Sequence, residues 1–244
     1  MASDKAQVGF FSFTEVTDPT QHIAFNEWHQ LDHMPEQLPL HGIVHGQRWV
    51  RTPECATASR LAVAPFDSVH YVTAYLMAEP LEQTLADFFQ LGRDLAAVGR
   101  FFDARTSHFA RPLRVQAVAA NSRVGIRALA IPYRPHRGVH VTVEQVAPHS
   151  VGRPPFAQLD ELASIEGVSG AWSFASDTQL LNSRSDNDTY CVTVAWIDGE
   201  VFPTTRRIDA FADRAVPANR ETLFRGPLLT ITPWQWNWFE GERQ

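Results

Sequence analysis

Two histidines four positions apart, His29 and His33, lie in the part of this 244-residue chain that is richest in chemically active side chains. This segment, residues 25–36, also contains a tryptophan and three carboxylates. Imidazole accepts and releases a proton near neutral pH, so one histidine in a dry pocket suffices for enolisation or lactone isomerisation. Arg48, which follows the segment, could stabilise the enolate or carboxylate oxygen of such a reaction.

The same residue types also allow simpler interpretations. Arg48 could form a salt bridge to Glu27 or Asp32, which would make it structural. The two histidines have the spacing of a metal-binding pair, and Asp32 or Glu36 could complete the site. The sequence has no HExxH pattern, however, and we expect no metal.

A helix must position these residues. Asp18 is a suitable N-cap and Pro19 suits the first helical position, so the helix begins there. Pro35 disfavours helical geometry at the residue before it, which predicts that the helix ends near His33. At about 100° per residue, one stripe of this helix is polar and consists of His22, Asn26, His29 and His33.

The apolar side chains of the helix gather on the opposite side, at Ala24, Trp28 and Leu31. An apolar face packs on a core, which favours a solvated position for the polar stripe. His33 is the exception, because it lies where the helix is expected to end and its direction is not fixed by the helical wheel.

Composition excludes several classes of function. Hydrophobic residues make up 44% and charged residues 20% of the chain, as in a globular protein. The net charge of −6 offers no basic surface for nucleic acid. No apolar run reaches the ~18 residues that cross a bilayer, no signal peptide is recognisable, and two cysteines are too few for a disulfide framework. We therefore expect a cytoplasmic protein with neither nucleic acid nor membrane as a partner.

Strand and helix patterns alternate in the first half of the chain. Alternating aromatic and β-branched residues predict strands, and apolar residues at helical spacing predict helices. The predicted elements are a strand over 8–16, the helix above, strands over 43–51 and 70–78, a helix over 81–98 and a strand over 106–118, with a loop over 52–67. This β-α-β-β-α-β order is typical of a ferredoxin-like unit, whose antiparallel sheet carries both helices on one face.

The second half shows the same order more faintly. Its predicted elements are strands over 139–146, 167–174, 190–197 and 228–239 and helices over 156–165 and 202–212, with 125–133 as one more strand or a connector. The chain divides into a repeat over 1–118, a connector over 119–138 and a repeat over 139–244. The predicted fold class is α+β, with two ferredoxin-like (βαββαβ) repeats packed sheet to sheet as a pseudo-dimeric α/β barrel.

This architecture resembles the dimeric α/β-barrel superfamily in a tandem form, with both halves on one chain. Within it, the EthD-like branch is similar in the run Asn26-Glu27-Trp28, then His33-Met34-Pro35-Glu36, Gly42 and Gln47-Arg48-Trp49. The resemblance implies a ligand cavity between the sheets and a small, often aromatic or polyketide-like substrate. It also implies isomerisation, cyclisation or cofactor-free oxygenation, with haem chemistry in other branches. The second half has no counterpart of the motif, so one site per chain is expected.

The resemblance makes His33 the expected proton carrier and Arg48 the group that stabilises negative charge. The residues expected to line the substrate pocket are Trp28, His29, His45, Trp49, Tyr71 and Tyr75. For the two tyrosines, packing that simply fills the barrel is the alternative. We therefore expect cofactor-free acid–base chemistry of the isomerase, cyclase, lyase or oxygenase type on a small organic substrate, and a homodimer is compatible with this.

Two other functions stay open from the sequence. One is a non-catalytic ligand-binding or stress-associated barrel. The other is haem binding, for which the available axial ligands are His108, His140 and His149. The tryptophans of residues 234–238 are expected on one face of the last strand, where they stack on a flat ligand or pack on the barrel. No nucleophile elbow, phosphate-binding loop or dinucleotide motif is present.

Overall fold

The computed structural model describes residues 5–146, 156–177, 180, 189–214 and 220–240, apart from the side chains of residues 156 and 157. Its strands are β1 (Val8–Val16), β2 (Ile43–Val50), β3 (Leu61–Ala62), β4 (Tyr71–Met77), β5 (Arg105–Ala120), β6 (Gly138–Val146), β7 (Val168–Ala175), β8 (Thr189–Ile197) and β9 (Arg220–Thr230). Its α-helices are α1 (His22–Trp28), α2 (Met34–Gln37), α3 (Pro53–Ala58), α4 (Leu81–Ala97), α5 (Phe156–Ser164) and α6 (Val201–Ala212). A π-helical turn, His29–His33, joins α1 to α2.

The strands form one antiparallel sheet that closes into a barrel. β2, β4, β1 and β5 are neighbours in this order, and β7, β8, β6 and β9 follow in the equivalent order. β5 pairs with β7, and β9 pairs with β2 through Trp49 opposite Thr230 and Val50 opposite Leu229. The ring is therefore complete, and the short β3 adds to β9 outside it.

Most of the predicted elements are confirmed to within two residues at each end. The predicted α+β class with a large antiparallel sheet is confirmed as well. The division of the chain at 119–138 stays a prediction.

Large apolar side chains fill the barrel. Among those that are fully buried in the interior are Phe11, Phe13, Trp49, Trp172 and Phe224. Beside Trp49 a void of about 10 Å³ remains, near the lower limit for a single water molecule. The described residues around Trp49 therefore leave no room for an organic ligand at this point of the interior.

Helices cover the outer face of the barrel. α5 and α6 pack on β5, β7 and β8. α2 and α4 pack on β1 and β4. Residues 22–37, here called the site helix, comprise α1, the π turn and α2, and they lie over β2 and β4. In the described ranges, no helix combines the length and the apolar character needed to span a membrane.

The site helix continues beyond its predicted end. The prediction that Pro35 stops the helix near His33 is wrong, because helical geometry runs on to Gln37. Proline lacks an N–H, and in an α-helix its ring collides with the carbonyl four residues earlier. The π turn relieves this conflict: the Met34 N–H donates to the His29 carbonyl five residues back, and the wider turn accommodates the ring.

Residues 52–67 are not a loop throughout, as predicted, but contain α3 and β3. Thr52 caps α3 by accepting a hydrogen bond from the Cys55 N–H at 3.2 Å, and Pro53 occupies the first turn. These are ordinary start signals. The helix is only six residues long, so it shows no apolar periodicity that could reveal it.

The last strand lies earlier than predicted. β9 ends at Thr230, so the prediction of a strand over 228–239 is wrong. Pro227 stands within β9 opposite His140, and a proline inside a run argues against a strand when only the sequence is considered. Residues 125–133, predicted as a strand or a connector, form a connector that contains a 3₁₀ turn.

Candidate functional site

The site helix buries its polar stripe. Its buried residues recur at the spacing of one helical face and are His22, Phe25, Asn26, His29, His33, Met34 and Gln37. On the opposite side Leu31 is 49% exposed. The prediction of a solvated stripe is therefore wrong: the polar side faces the sheet, and Phe25 and Met34 supply apolar contacts that hold it there.

The sheet face beneath the stripe is also polar. Arg48 of β2 lies opposite Thr73 of β4, and Gly46 lies opposite Tyr75. A Cβ at Gly46 would come within 3.2 Å of the Tyr75 ring. Glycine at this position therefore leaves room for the Tyr75 ring to pack over β2. Buried polar groups need hydrogen-bond partners, and these strands supply them. We call the following set the polar layer: His22, Asn26, His29, His33, Gln37, Arg48, Tyr71, Thr73 and Tyr75.

A chain of hydrogen bonds crosses the polar layer. Asn26 Nδ2 donates to the His22 carbonyl at 2.8 Å and to the Tyr71 hydroxyl at 2.9 Å. The Tyr71 hydroxyl also forms a hydrogen bond with His22 Nδ1 at 3.0 Å. Asn26 Oδ1 accepts from Arg48 Nη2 at 3.0 Å. The orientation of Asn26 is thus fixed at both ends of its amide.

Arg48 is buried without a carboxylate. It is 3% exposed, and besides its bond to Asn26 it donates to Gln30 Oε1 at 3.4 Å. Its guanidinium lies 5.4 Å from the ring centroid of Phe25 and 5.7 Å from that of Tyr71, which partly stabilises the charge. Burial lowers the pKa of Arg48 to about 10, so the side chain stays protonated at neutral pH. Within the described residues no carboxylate pairs with it, and the salt bridge considered for it is wrong.

His29 and His33 are neutral at physiological pH. Burial lowers the pKa of His33 to about 4, and Arg105 and Arg48 add to this effect. Burial, followed by Arg48, lowers the pKa of His29 well below its usual value. His33 Nε2 lies 3.0 Å from Gln37 Nε2, which can only donate, so the His33 proton is on Nδ1.

Arg105 brings a second guanidinium to the same region. It lies 5.3 Å from the ring centroid of Trp28 and 4.7 Å from that of Phe101, and Trp28 in turn stacks on His33 at 4.6 Å. Its Nη1 donates to Ser107 Oγ at 2.9 Å. Burial lowers the pKa of Arg105 from its usual value. Two guanidiniums therefore lie close to two neutral histidines.

Six buried polar atoms of this region have no hydrogen-bond partner among the described residues. They are His29 Nδ1, His33 Nδ1, Gln37 Oε1, Arg48 Nε, Tyr75 OH and Arg105 Nε. Such atoms are rare in native proteins, and each costs ~1–3 kcal/mol. Four of them are N–H or O–H donors, counting the protonated Nδ1 of His33. The region can therefore receive a hydrogen-bond acceptor that carries negative charge.

The acidic residues of the site helix lie away from the polar layer. Arg100 Nη2 lies 2.6 Å from Asp32 Oδ1 and 2.9 Å from Glu36 Oε1. These two carboxylates are therefore not available to complete a metal site with the histidines. In the part of the chain that the structure describes, no group of three or more potential metal ligands is present.

The structure brings together six of the predicted site residues, namely Trp28, His29, His33, Arg48, Tyr71 and Tyr75. His45 and Trp49 instead line the barrel interior. Asn26, Gln37 and Arg105 were not predicted as site residues. Asn26 and Gln37 lie on the same helical stripe as the histidines, which is a usable signal, whereas nothing near Arg105 in the sequence connects it to this helix.

The C-terminal tryptophans do not form a flat wall on one strand face. Residues 234–238 lie in turns and irregular structure beyond β9. Trp234 is 72% exposed, whereas Trp236 is buried against the outer side of the barrel. The stacking role considered for them has no geometric basis here.

No protein-family model matches this sequence, and no curated protein matches it. A solved protein described as a candidate chlorite dismutase aligns over 98% of this chain and 100% of its own, with a TM-score of 0.53 and 9% identity. A variant of the chlorite dismutase from Candidatus Nitrospira defluvii, in which alanine replaces an arginine, aligns over 99% of this chain and 97% of its own. Its TM-score is 0.51 and its sequence identity is 11%. At this level of identity the comparisons show that the chain shares the fold of these proteins.

The function predicted from the sequence requires correction. The activity named for these neighbours is a dismutation, which is redox chemistry. Cofactor-free acid–base chemistry in a barrel cavity is therefore wrong, as is the non-catalytic or stress-associated alternative. The geometry adds a physical reason: with its pKa lowered to about 4 by burial, His33 holds no second proton to donate at neutral pH.

Two of the three predicted axial ligands do not fit a haem. A haem iron commonly takes a histidine nitrogen as its axial ligand. His108 Nε2 is 2.6 Å from Glu15 and His140 Nε2 is 3.3 Å from Asp209, so both predicted ligands are engaged. His149 lies outside the described residues.

The two buried histidines of the site helix, each with an unpaired Nδ1, are no better placed for a haem. His29 and His33 are 7% and 8% exposed and are enclosed between the site helix and the sheet. Trp28 and Phe101 already cover the ring of His33, with centroids at 4.6 and 5.3 Å. A macrocycle could reach either nitrogen only if the helix moved.

Proposed function

We propose that this chain acts on a small anion, either an oxyanion or a carboxylate, which binds in the polar layer against Arg48. The observation that carries the proposal is the buried guanidinium, which has no carboxylate partner among the described residues. Burying an ion costs several kcal/mol unless its charge is compensated. A water molecule would satisfy the unpaired donors but not the charge, whereas an anion satisfies both.

The unpaired donors suit the same ligand. Arg48 Nε–H, His33 Nδ1–H and the Tyr75 hydroxyl are buried in the polar layer and have no partner among the described residues. Arg105 adds a second positive charge, and both guanidiniums lower the pKa values of His29 and His33. All of these groups are therefore within electrostatic reach of one another, and hydrogen bonds to an anion are about twice as strong as neutral ones.

The fold neighbours support an anionic substrate. Chlorite dismutases act, according to their name, on chlorite, which is a small oxyanion. We extend only this ligand class to the present chain, because similarity at this level of identity concerns the fold.

The EthD-like resemblance extends the proposal to an organic substrate. Trp28 and Phe101 border the polar layer through their contacts with His33, so an aromatic carboxylate is included. Tighter binding of benzoate than of acetate would support this extension. A homodimer is compatible with the same resemblance. The molecular mass of the protein in solution tests whether two chains assemble.

The proposal is tested by thermal unfolding in sodium nitrite and in sodium acetate, with sodium chloride at equal ionic strength as the reference. A ligand that binds the folded state raises the unfolding midpoint with its concentration. We expect such a rise for the wild-type protein and its loss in Arg48→Gln. Arg127→Gln is the matched control, because Arg127 is exposed and should leave the rise intact. An equal rise in wild type and Arg48→Gln would refute the proposal.

Haem binding is the second candidate function, because the family resemblance of the sequence implies haem chemistry in some branches, although His108 and His140 are engaged with carboxylates. Titration of the purified chain with hemin tests it. If the chain binds haem, a Soret band distinct from that of free hemin saturates at one haem per chain. A spectrum that remains that of free hemin excludes this candidate.

A further inference from the structure

Two neutral amides, and no carboxylate, hold the guanidinium of Arg48. Asn26 Oδ1 accepts from Nη2 at 3.0 Å, and Gln30 Oε1 accepts from Nη1 at 3.4 Å. Both amides belong to the site helix. An amide oxygen is a good acceptor but carries no net charge, so it can aim a guanidinium without neutralising it.

The neighbouring groups fix Asn26 in this role. Its Nδ2 donates to the His22 carbonyl and the Tyr71 hydroxyl at 2.8 and 2.9 Å, which leaves only Oδ1 to face Arg48. Rotation of the amide by 180° would bring its Nδ2 towards the guanidinium, where two donors would oppose each other. Asn26 therefore has one stable orientation.

The carboxylates on the same helix are held elsewhere. Asp32 and Glu36 bind Arg100 at the surface, with distances of 2.6 and 2.9 Å. Glu27 is exposed on the side that faces away from the sheet. The helix thus has three acidic residues in this region, and none of them reaches the guanidinium of Arg48.

We infer that Asn26 is a positioning residue that directs Arg48 towards the ligand while leaving its positive charge uncompensated. This inference rests on the proposed anion function. An aspartate at the same position has nearly the same shape, but it would form an internal ion pair with Arg48. The protein would then hold its own anion, and the ligand would meet a neutral ion pair instead of an uncompensated positive charge.

The test compares Asn26→Asp with the wild-type protein, using nitrite as the probe. Asn26→Asp should weaken nitrite affinity at least about tenfold, since a like charge at a binding site costs several kcal/mol. The ligand-free unfolding midpoint reflects two opposed effects, because Arg48 gains a charged partner while the new carboxylate cannot donate to the His22 carbonyl. Nitrite affinity is therefore the deciding measurement, and a residue that served only the structure would leave the response to nitrite unchanged.

Two further variants complete the design. Asn26→Ala removes the amide without adding a charge, and it should lower both the midpoint and the nitrite affinity. Leu31→Glu adds a carboxylate on the exposed side of the same helix and should leave nitrite affinity within a factor of two. Nitrite binding that is equal in Asn26→Asp and the wild type would overturn this inference alone. Failure of the wild-type protein to bind nitrite, acetate or benzoate would overturn the proposed function and this inference with it.

Discussion

At the scale of single residues, the charge of Arg48 is the feature that most needs an explanation. The residue is 3% exposed, yet its hydrogen bonds go to the neutral side-chain amides of Asn26 and Gln30. Its guanidinium also lies near the ring of Phe25. Proteins keep such destabilising groups where function requires them, because sites that bind ligands are seldom optimised for stability. The same explanation applies to the unpaired donors around it.

Replacement of Arg48 by methionine should therefore not reduce the free energy of unfolding in the absence of ligand. The apolar side chain has a similar length and removes the buried charge, although it leaves the Asn26 oxygen without its donor. Replacing buried charges by well-packed apolar groups often leaves stability unchanged or raises it, by ~1–4 kcal/mol. Urea denaturation of both proteins in anion-poor buffer measures the difference. A loss of about 3 kcal/mol or more would indicate that the guanidinium holds the fold together.

The histidines predict how stability depends on pH. An unfolded histidine has a pKa near 6.5, whereas burial lowers the pKa of folded His33 and folded His22 to about 4. Below pH 6.5 the unfolded chain binds these protons and the folded chain does not. Stability is therefore complete above pH 6.5 and is lost as the pH falls towards 4, by up to ~3 kcal/mol for each residue.

Urea denaturation between pH 7.5 and 4.5 measures this loss, and His33→Gln should show a smaller one. An NMR titration of the His33 ring with a midpoint near 6.5 would contradict the burial described here.

At the scale of elements, the site helix is turned with its polar side inward. This arrangement is stable because β2 and β4 present Arg48, Tyr71 and Thr73 on the face that the helix covers. Phe25 and Met34 pack at separate points along the helix and fix it to the sheet. Because of the π turn, the helix continues beyond Pro35 to Gln37. The side chain of Gln37 forms a hydrogen bond with His33 and so orients its imidazole.

A pair of substitutions tests the direction of this helix. Leu31 is exposed, so Leu31→Gln should change the free energy of unfolding by less than about 0.5 kcal/mol. Phe25 is 1% exposed, so Phe25→Ala should cost ~3–5 kcal/mol. Chemical denaturation of both variants gives the comparison. A large loss of stability in Leu31→Gln with a small loss in Phe25→Ala would mean that the helix side containing Leu31 faces the sheet.

The sequence predicts the elements better than it predicts the site. Alternation and helical spacing located nearly all strands and helices, because these periods are local properties of the chain. The helical period does not say which side of an amphipathic helix faces inward when the covering sheet is polar too. That depends on Arg48 and Tyr71, which a sequence reader cannot place under the helix without the strand pairing. Arg105 was missed for the same reason.

At the scale of the whole molecule, the barrel serves as a filled support and the candidate site lies on its outer surface beneath a helix. The interior holds Phe11, Trp49 and Trp172 at close packing, which leaves a void of about 10 Å³ beside Trp49. The rigid interior fixes β2 and β4, and these strands in turn fix the positions of Arg48 and Tyr75. The solved chlorite dismutases share this fold.

The central claim is that an anion binds Arg48 within the polar layer. A crystal structure of the wild-type protein grown in sodium nitrite tests it most directly. We predict nitrite within hydrogen-bonding distance of Arg48 Nε, close to the Tyr75 hydroxyl and His33 Nδ1. Density in the layer that contains only water, or a carboxylate of the chain itself paired with Arg48, would contradict the claim.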